Sequence, residues 1–180
     1  IFYDLRISPY IEFTAGKYPQ IQEAAVKLSK ELMDAQITLV HGDYSPKNIM
    51  IVGRDISVLD YEVAHFGHPA FDLAFFSNHF ILKAVKFSEY AGAYLAMLQY
   101  MMILYFDEMS FMDKGEFESV YVRTLAFLML ARIDGKSPVE YLVGQEEKQN
   151  IVRELSLNMI GHGTVKFEDA LKQIKDRLEK

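Results

Sequence analysis

Two short apolar segments joined by a glycine turn constrain the fold of this chain more than any other feature. Residues 48–52 and 56–60 are rich in β-branched side chains, and residues 53–55 between them place a glycine at the bend. This pattern predicts an antiparallel hairpin with a three-residue loop. The register then sets Asn48 opposite Asp60, and opposed side chains have Cβ atoms about 5 Å apart. We therefore expect an amide and a carboxylate to meet at the open end of the hairpin.

The polar groups near this end are those that phosphoryl transfer uses. Magnesium prefers hard oxygen ligands, which Asn48 and Asp60 would supply together with water and substrate phosphates. Asp43 lies five residues before Asn48 in a loop that contains glycine and proline. Its carboxylate can therefore be aimed at an incoming hydroxyl and accept the proton. If the extended strand continues past the hairpin, Glu62 lies on the same face of that strand as Asp60, because residues two apart point the same way.

Three neighbouring motifs carry a family resemblance. They are His41-Gly42-Asp43 with Asn48 five positions after the aspartate, Leu59-Asp60-Tyr61-Glu62, and Gly67-His68-Pro69-Ala70-Phe71-Asp72-Leu73-Ala74. Together they resemble the catalytic lobe of the aminoglycoside phosphotransferase and choline kinase superfamily. The resemblance implies a protein-kinase-like fold, ATP as the phosphoryl donor and a magnesium cofactor.

The same resemblance assigns roles to individual residues. Asp43 would be the catalytic base, and Asn48 and Asp60 would be the magnesium ligands. Asp72 would be the helix carboxylate that holds the catalytic loop in place, and the alternative is an acid that only complements the dipole of its helix. Glu62 lies where choline-kinase-like members carry a second acidic residue.

Two residues of the loop allow more than one interpretation. His41 is expected to be structural, with its imidazole packed or hydrogen-bonded behind the loop, and the alternative is a metal ligand. Lys47 could steer the γ-phosphate of the nucleotide, and the alternative is an ordinary solvated lysine.

A second segment, Arg132–Leu142, also resembles the superfamily, in a branch with a Ser-Pro-Lys-Asn catalytic loop. Gly135 in the left-handed conformation, followed by a capping box from Ser137 to Glu140, would explain most of it as the end of one helix and the start of the next. Arg132 and Asp134 do not fit that explanation. We predict that they lie beside the substrate pocket.

The remaining pattern predicts an α+β fold that is mainly helical, with the small hairpin carrying the catalytic and metal-binding residues. We expect one domain over residues 1–180, since no low-complexity linker interrupts the chain. A short strand is predicted at Thr38–Val40, followed later by the hairpin. Helices are predicted over residues 18–34, from Pro69 to 85, and over 88–107, 114–132, 146–160 and 167–178.

Composition excludes several classes of protein. The 180 residues include no cysteine, which rules out disulfides and cysteine-based zinc sites and favours a reducing cytoplasm. The formal net charge of −6 argues against a nucleic-acid-binding partner. Residues 90–106 carry no charge, but polar Gln99 interrupts them, so we predict a buried core helix and no membrane association.

No phosphate-covering loop or phosphate-pairing lysine precedes Asp43. We therefore expect the chain to be the C-terminal lobe of a larger kinase, whose partners are its own N-terminal lobe and a small-molecule hydroxyl substrate. The isolated chain should then show little ATP turnover. Aminoglycosides, choline, methylthioribose, homoserine and sugars all remain open as substrates.

Two other classes of function stay open. One is a non-catalytic binding module derived from a kinase. The other is a metal-dependent phosphohydrolase, whose candidate ligands would be His41, Asp43, Asp60, His65, His68 and His79.

Overall fold

The computed structural model of the protein describes residues 1–178, which form mostly helices with four short strands between the second and third α-helices. In chain order the elements are a π-helix (Tyr3–Glu12), α1 (Phe13–Ala15), α2 (Gln22–Asp34), β1 (Thr38–Val40), β2 (Ile49–Val52), β3 (Asp55–Val58), β4 (His65–Gly67), α3 (Ala70–Lys86), α4 (Ala91–Glu108), α5 (Lys114–Asp134), α6 (Glu146–Gly161) and α7 (Phe167–Leu178). Short 3-10 turns lie at Pro19–Ile21, Pro46–Asn48, Ser88–Tyr90 and Glu140–Leu142. The α+β class, the predicted helices and the strand Thr38–Val40 are confirmed, although helix ends differ by a few residues.

Helix α5 forms the centre of the core, because apolar residues surround it on nearly every side. Phe117, Leu125 and Leu128 are fully buried on it, and α3 and α6 are its main neighbours. The fully buried Tyr121 donates a hydrogen bond from its hydroxyl to Ser77 Oγ of α3, at 3.0 Å. This bond satisfies a polar group that would otherwise be costly in an apolar interior.

Helix α4 corrects one prediction, because it lies at the surface and not in the core. Only Leu95, Leu98 and Met102 are buried on it. Tyr100 and Ile103 are 64% and 60% exposed. A nearly uniform apolar sequence does not reveal which face packs, and here only one face meets the core. Within residues 1–178, no helix combines the length and apolar character needed to cross a membrane.

The N-terminal π-helix, Tyr3–Glu12, was not predicted from the sequence. Pro9 lies inside it, and proline lacks the amide hydrogen that an ordinary helix needs at that position. Ile7 and Ile11 are nevertheless fully buried, so packing against α2 and α5 holds the segment in place. This helix brings Arg6 to the loop of residues 41–48, the predicted catalytic loop, where Arg6 donates to the carbonyl of Gly42.

The hairpin forms as predicted, but its register differs by one residue. Ile51 pairs with Ile56 and Val52 with Asp55, so the loop has two residues instead of three. Gly53 has φ +63°, which suits the first central position of a type II′ turn. The amide of Leu59 donates to the carbonyl of Asn48 at 2.8 Å.

The predicted pairing of Asn48 with Asp60 is therefore wrong. Asn48 is opposite Leu59, and Asp60 comes one residue later along the chain. Shifting a register by one residue moves every side chain to the other face. The two residues still lie at the same open end of the hairpin.

The second strand pair, β1 with β4, positions the catalytic loop. Thr38 pairs with Gly67 and Val40 with His65 in an antiparallel arrangement. The loop that follows β1 therefore lies beside the segment that precedes β4, where Gly42 meets Val63. The side chain of Asp72 in α3 reaches this loop from the helix that follows β4.

The segment after α5 differs from its prediction. Gly135 has φ −80° and ψ −167°, which is extended and not left-handed. Val139, and not Ser137, precedes the short 3-10 turn Glu140–Leu142, and no side chain caps it. The carbonyl of Ser137 accepts a hydrogen bond from Arg132 at 2.6 Å, which folds this segment back on α5.

Candidate active site

A carboxylate at the start of α3 holds the first part of the catalytic loop. Asp72 Oδ2 accepts a hydrogen bond from the backbone amide of His41 at 2.6 Å, and Oδ1 accepts one from Gly42 at 2.8 Å. Burial raises the pKa of Asp72, while these two bonds act in the opposite direction. Because both oxygens are used, the carboxylate fixes the position and the direction of the loop.

Gly42 is required by the shape of the same loop. Its φ is +77°, and a Cβ atom built there would lie 2.8 Å from the carbonyl oxygen of Val63. A left-handed backbone already costs about 1–2 kcal/mol for other residues. Any side chain at this position would also push the loop away from the segment that follows the hairpin.

His41 links the loop to the end of the hairpin. Its Nε2 lies 2.9 Å from the carbonyl oxygen of Leu59, and its Nδ1 accepts a hydrogen bond from the amide of Asp43 at 3.2 Å. The proton must then be on Nε2. Both ring nitrogens have protein partners, so this imidazole is positioned as a structural link and has no nitrogen free for a metal.

Asp43 is held by several donors and is nearly buried, with its side chain 10% exposed. Asn48 Nδ2 donates to Asp43 Oδ2 at 3.0 Å and to its backbone carbonyl at 2.9 Å. Lys47 Nζ lies 3.2 Å from Oδ2, and Arg6 Nη2 lies 3.2 Å from Oδ1. These contacts give the carboxylate a single orientation.

Arg6 is a site residue that sequence reasoning missed. Its Nε also donates to the carbonyl of Gly42, 36 positions away in the sequence. Its side chain is 12% exposed. A lone arginine in an unpredicted helix gives no spacing signal, so only the folded chain shows that it pairs with Asp43.

Asn48 and Asp60 retain oxygen atoms that could bind a cation. Asn48 uses its Nδ2 for Asp43, and among residues 1–178 no hydrogen bond reaches its Oδ1. Asp60 is exposed and has φ 69°, a conformation that aspartate tolerates better than most residues. In the described part of the chain, no three His, Asp or Glu side chains are placed so that they could hold a metal ion together. The two oxygen donors of Asn48 and Asp60 suit magnesium, which keeps several waters and substrate phosphates as its other ligands.

Glu62 does not lie on a continued strand, and the alternation used to predict its side is wrong. The residues after Val58 leave the hairpin, and the amide of Ala64 donates to the carbonyl of Tyr61 at 3.0 Å to close a turn around Glu62. Glu62 is exposed in this turn.

Asp43 faces a cavity of about 550 Å³ that opens between the catalytic loop, α3 and the segment after α5. This volume falls within the range of small-molecule sites. Its lining residues are Tyr10, Asp43, Pro46, Lys47, Phe75, His79, Lys83, Arg132, Ser137, Pro138, Val139, Glu140 and Tyr141. The cavity therefore combines an apolar wall with several charged side chains.

The structure brings Arg132 into this cavity but not Asp134. The Asp134 carboxylate accepts two hydrogen bonds from Arg153, both at 2.8 Å, and one from Tyr18 at 2.7 Å. Burial alone would raise the pKa of Asp134, but the bonds from Arg153 and Tyr18 lower it below the usual value. Its oxygens thus join α5 to α6, and the prediction that it lies beside the substrate pocket is not supported by its position.

The histidines of the phosphohydrolase alternative are not brought together. His65 Nδ1 lies 3.0 Å from the carbonyl of Val63, and His68 Nδ1 accepts from the amide of Ala70 at 3.2 Å. Each ring is used by its own loop. His79 lies separately on α3, in the cavity wall.

His79 is uncharged at neutral pH in this setting. Burial lowers the pKa of its imidazole to about 4, and the nearby charges of Arg132 and Lys83 act in the same direction.

A family model described as the phosphotransferase enzyme family matches residues 9–105, more than half of the chain. The chain belongs to this family. The match covers the loop after β1, the hairpin and α3, so the three motifs between His41 and Ala74 that resemble the aminoglycoside phosphotransferase and choline kinase superfamily lie inside it, whereas Arg132–Leu142 lies outside it. No curated protein matches the chain. As a member of the phosphotransferase family, the chain is a kinase-like enzyme.

Proposed function

We propose that this chain is the catalytic lobe of an ATP-dependent kinase that phosphorylates a hydroxyl group of a small molecule. The observation that carries the proposal is the Asp43 carboxylate, which several donors fix at the edge of a cavity of about 550 Å³. Family membership supports phosphoryl transfer as the chemistry. The cavity volume supports a small molecule as the acceptor.

In this proposal Asp43 accepts the proton of the substrate hydroxyl. The hydroxyl oxygen forms a bond to the γ-phosphorus of ATP as the bond to the ADP oxygen breaks, and the proton moves to a carboxylate oxygen of Asp43. Arg6 and Asn48 hold that carboxylate in place. Lys47, whose side chain is 69% exposed, can turn from Asp43 toward a γ-phosphate.

Asn48 and Asp60 would hold magnesium through the amide Oδ1 and the carboxylate. The ion would neutralise charge on the nucleotide phosphates. Glu62, exposed in the turn after Asp60, is proposed as the second acidic residue near it. A nucleotide-binding N-terminal lobe would be the structural partner of this lobe, and a cytoplasmic setting suits both ATP and a chain without cysteine.

A phosphorylation screen of small hydroxy compounds tests the proposal. The natural protein that contains this chain is incubated with ATP and magnesium, and ADP release is measured beside the Asp43→Asn variant. We expect turnover to fall by at least about 1000-fold without loss of the fold, because the amide cannot accept the proton.

The matched control is Asp55→Asn, which makes the same change at the exposed end of the hairpin and should keep full activity. An Asp43→Asn variant that retains turnover would remove Asp43 as the base. In the isolated 180-residue chain we expect little turnover, and appreciable activity there would contradict the need for a second lobe.

A further inference from the structure

The charges around the Asp43 cavity are unequal. Three cationic side chains line it, Lys47, Lys83 and Arg132, against two carboxylates, Asp43 and Glu140. His79 adds no charge near pH 7, since burial keeps its pKa at about 4. The cavity therefore carries a positive excess although the whole chain has a net charge of −6.

Asp43 does not neutralise Lys83 or Arg132, because its two oxygens have other partners. Lys47 lies 3.2 Å from one of its oxygens and Arg6 lies 3.2 Å from the other. Glu140 is exposed and forms no ion pair within residues 1–178. Lys83 and Arg132 are left as the two cations that no neighbouring carboxylate offsets in the described part of the chain.

The donors of Arg132 are only partly used. Its Nη1 donates to the carbonyl of Ser137 at 2.6 Å and to the hydroxyl of Tyr10 at 3.4 Å. Its Nε is buried and has no hydrogen-bond partner in the described residues. Its Nη2 makes no hydrogen bond or ion pair within residues 1–178, so this group is available to donate to an anion in the cavity that Arg132 lines.

Lys83 is half-buried, and within residues 1–178 its ammonium group makes no hydrogen bond or ion pair. It shares one face of α3 with Phe75 and His79, at spacings of four residues, and all three line the cavity. Lys86 lies three residues further on the same helix and does not line it. Lys86 alone would place a favourable positive charge at the end of α3. That role therefore does not explain why Lys83 lines the cavity.

We infer that the small-molecule acceptor carries an anionic group, a carboxylate or a phosphate, which Lys83 and Arg132 bind while its hydroxyl faces Asp43. This inference rests on the proposed function, since it names the class of substrate for the same site. Arginine forms directional, charge-assisted bonds to both kinds of oxyanion, and lysine adds a compact charge. A purely cationic substrate would meet these two groups with repulsion.

A binding experiment without nucleotide tests the charge preference separately from turnover. The probes share a three-carbon scaffold and differ in charge: glycerol, glycerate, glycerol phosphate and aminopropanediol. Affinities for the 180-residue chain are measured by chemical-shift perturbation. We expect glycerate or glycerol phosphate to bind at least about tenfold tighter than glycerol and aminopropanediol, because hydrogen bonds between ionised groups are stronger than those between neutral groups. Which anion binds tighter distinguishes a carboxylate substrate from a phosphate one.

Three variants make the experiment specific. Lys83→Met and Arg132→Met remove each charge and keep much of the length of the side chain, and both should abolish the tenfold preference. Lys86→Met is the matched control on the same helix and should retain it. Because Arg132 also binds Ser137, thermal unfolding is recorded for every variant, and Lys83→Met carries the test if Arg132→Met fails to fold.

Equal affinities across the probes, a preference for aminopropanediol, or no binding of either anion would overturn the inference. So would an anion preference that survives in folded Lys83→Met. Anion binding without any ADP release in the screen would refute the kinase proposal and leave the anion site standing. Phosphorylation confined to cationic alcohols would refute the anion site and leave the kinase proposal standing.

Discussion

Acidification should destabilise this chain through His79, whose imidazole is buried in the cavity wall on α3. Burial and the neighbouring Arg132 and Lys83 lower its pKa from the ordinary 6.5 to about 4. As the pH falls, His79 is therefore protonated near pH 6.5 in the unfolded chain but only near pH 4 in the folded chain. Stability from this residue is complete above the ordinary pKa and is lost as the pH falls toward the folded value. The full loss is about 3 kcal/mol, of which about 2 kcal/mol is reached by pH 5.

The assay is urea unfolding followed by far-ultraviolet circular dichroism at pH 7.5 and pH 5. The wild-type chain is compared with His79→Asn, which keeps a polar side chain but cannot take up the proton. The difference in unfolding free energy between the two proteins should shift by about 2 kcal/mol in favour of the variant at pH 5. Taking this difference cancels Asp72, whose pKa is raised by burial and whose contribution has the opposite sign.

His162→Asn is the matched control, since it removes an imidazole from the exposed end of α6. We expect it to keep the pH profile of the wild-type chain. A His79→Asn profile parallel to that of the wild type would refute the argument, because it would mean that His79 is solvated enough to titrate normally in the folded chain.

Three further predictions concern the loop and the core. Asp72→Asn should lower the free energy of unfolding in urea by about 1–3 kcal/mol, because the backbone N–H of His41 or Gly42 would then face the NH₂ group of the asparagine. An unchanged midpoint would contradict the loop-holding role. Gly42→Ala should lower the melting temperature more than Gly53→Ala, since both have positive φ but only Gly42 would meet a carbonyl, at 2.8 Å; equal losses would show that strain alone matters. Arg153→Met should lower the free energy of unfolding by about 1–3 kcal/mol, because it leaves the half-buried Asp134 short of donors. Arg177→Met at the more exposed Glu154 pair should lower it by less than about 1 kcal/mol, and a reversed order would contradict the role of the Asp134 network.

Most helices could be predicted from the sequence, because their apolar periodicity and their ends are local signals. Helix α7 begins at Phe167 and ends at Leu178, as predicted. The hairpin was also visible locally, yet its register depended on whether Asp55 belonged to the loop or to the strand. One hydrogen-bonded pair, Val52 with Asp55, decides this, and propensity does not distinguish the two cases.

Features that depend on distant packing could not be predicted. Pro9 and the β-branched residues around it argue against a helix locally, and burial of Ile7 and Ile11 overrides that tendency. Arg6 reaches Asp43 only because that helix forms. Asp134 was predicted to lie beside the substrate pocket, but Arg153 from another helix binds its carboxylate.

Helix α3 supports both the proposed base and the proposed anion site. Its first turn carries Asp72, which anchors the loop of the base, and its last turns carry Lys83 in the cavity wall. The rise of an α-helix separates these two positions by about 16 Å along one rigid axis. The anchor of the loop and the cavity lysine are therefore held at a constant separation by the geometry of one helix. Inserting a single residue between Phe75 and Lys83 would rotate the lysine by about 100°, and the cavity would lose its cation while the base kept its place.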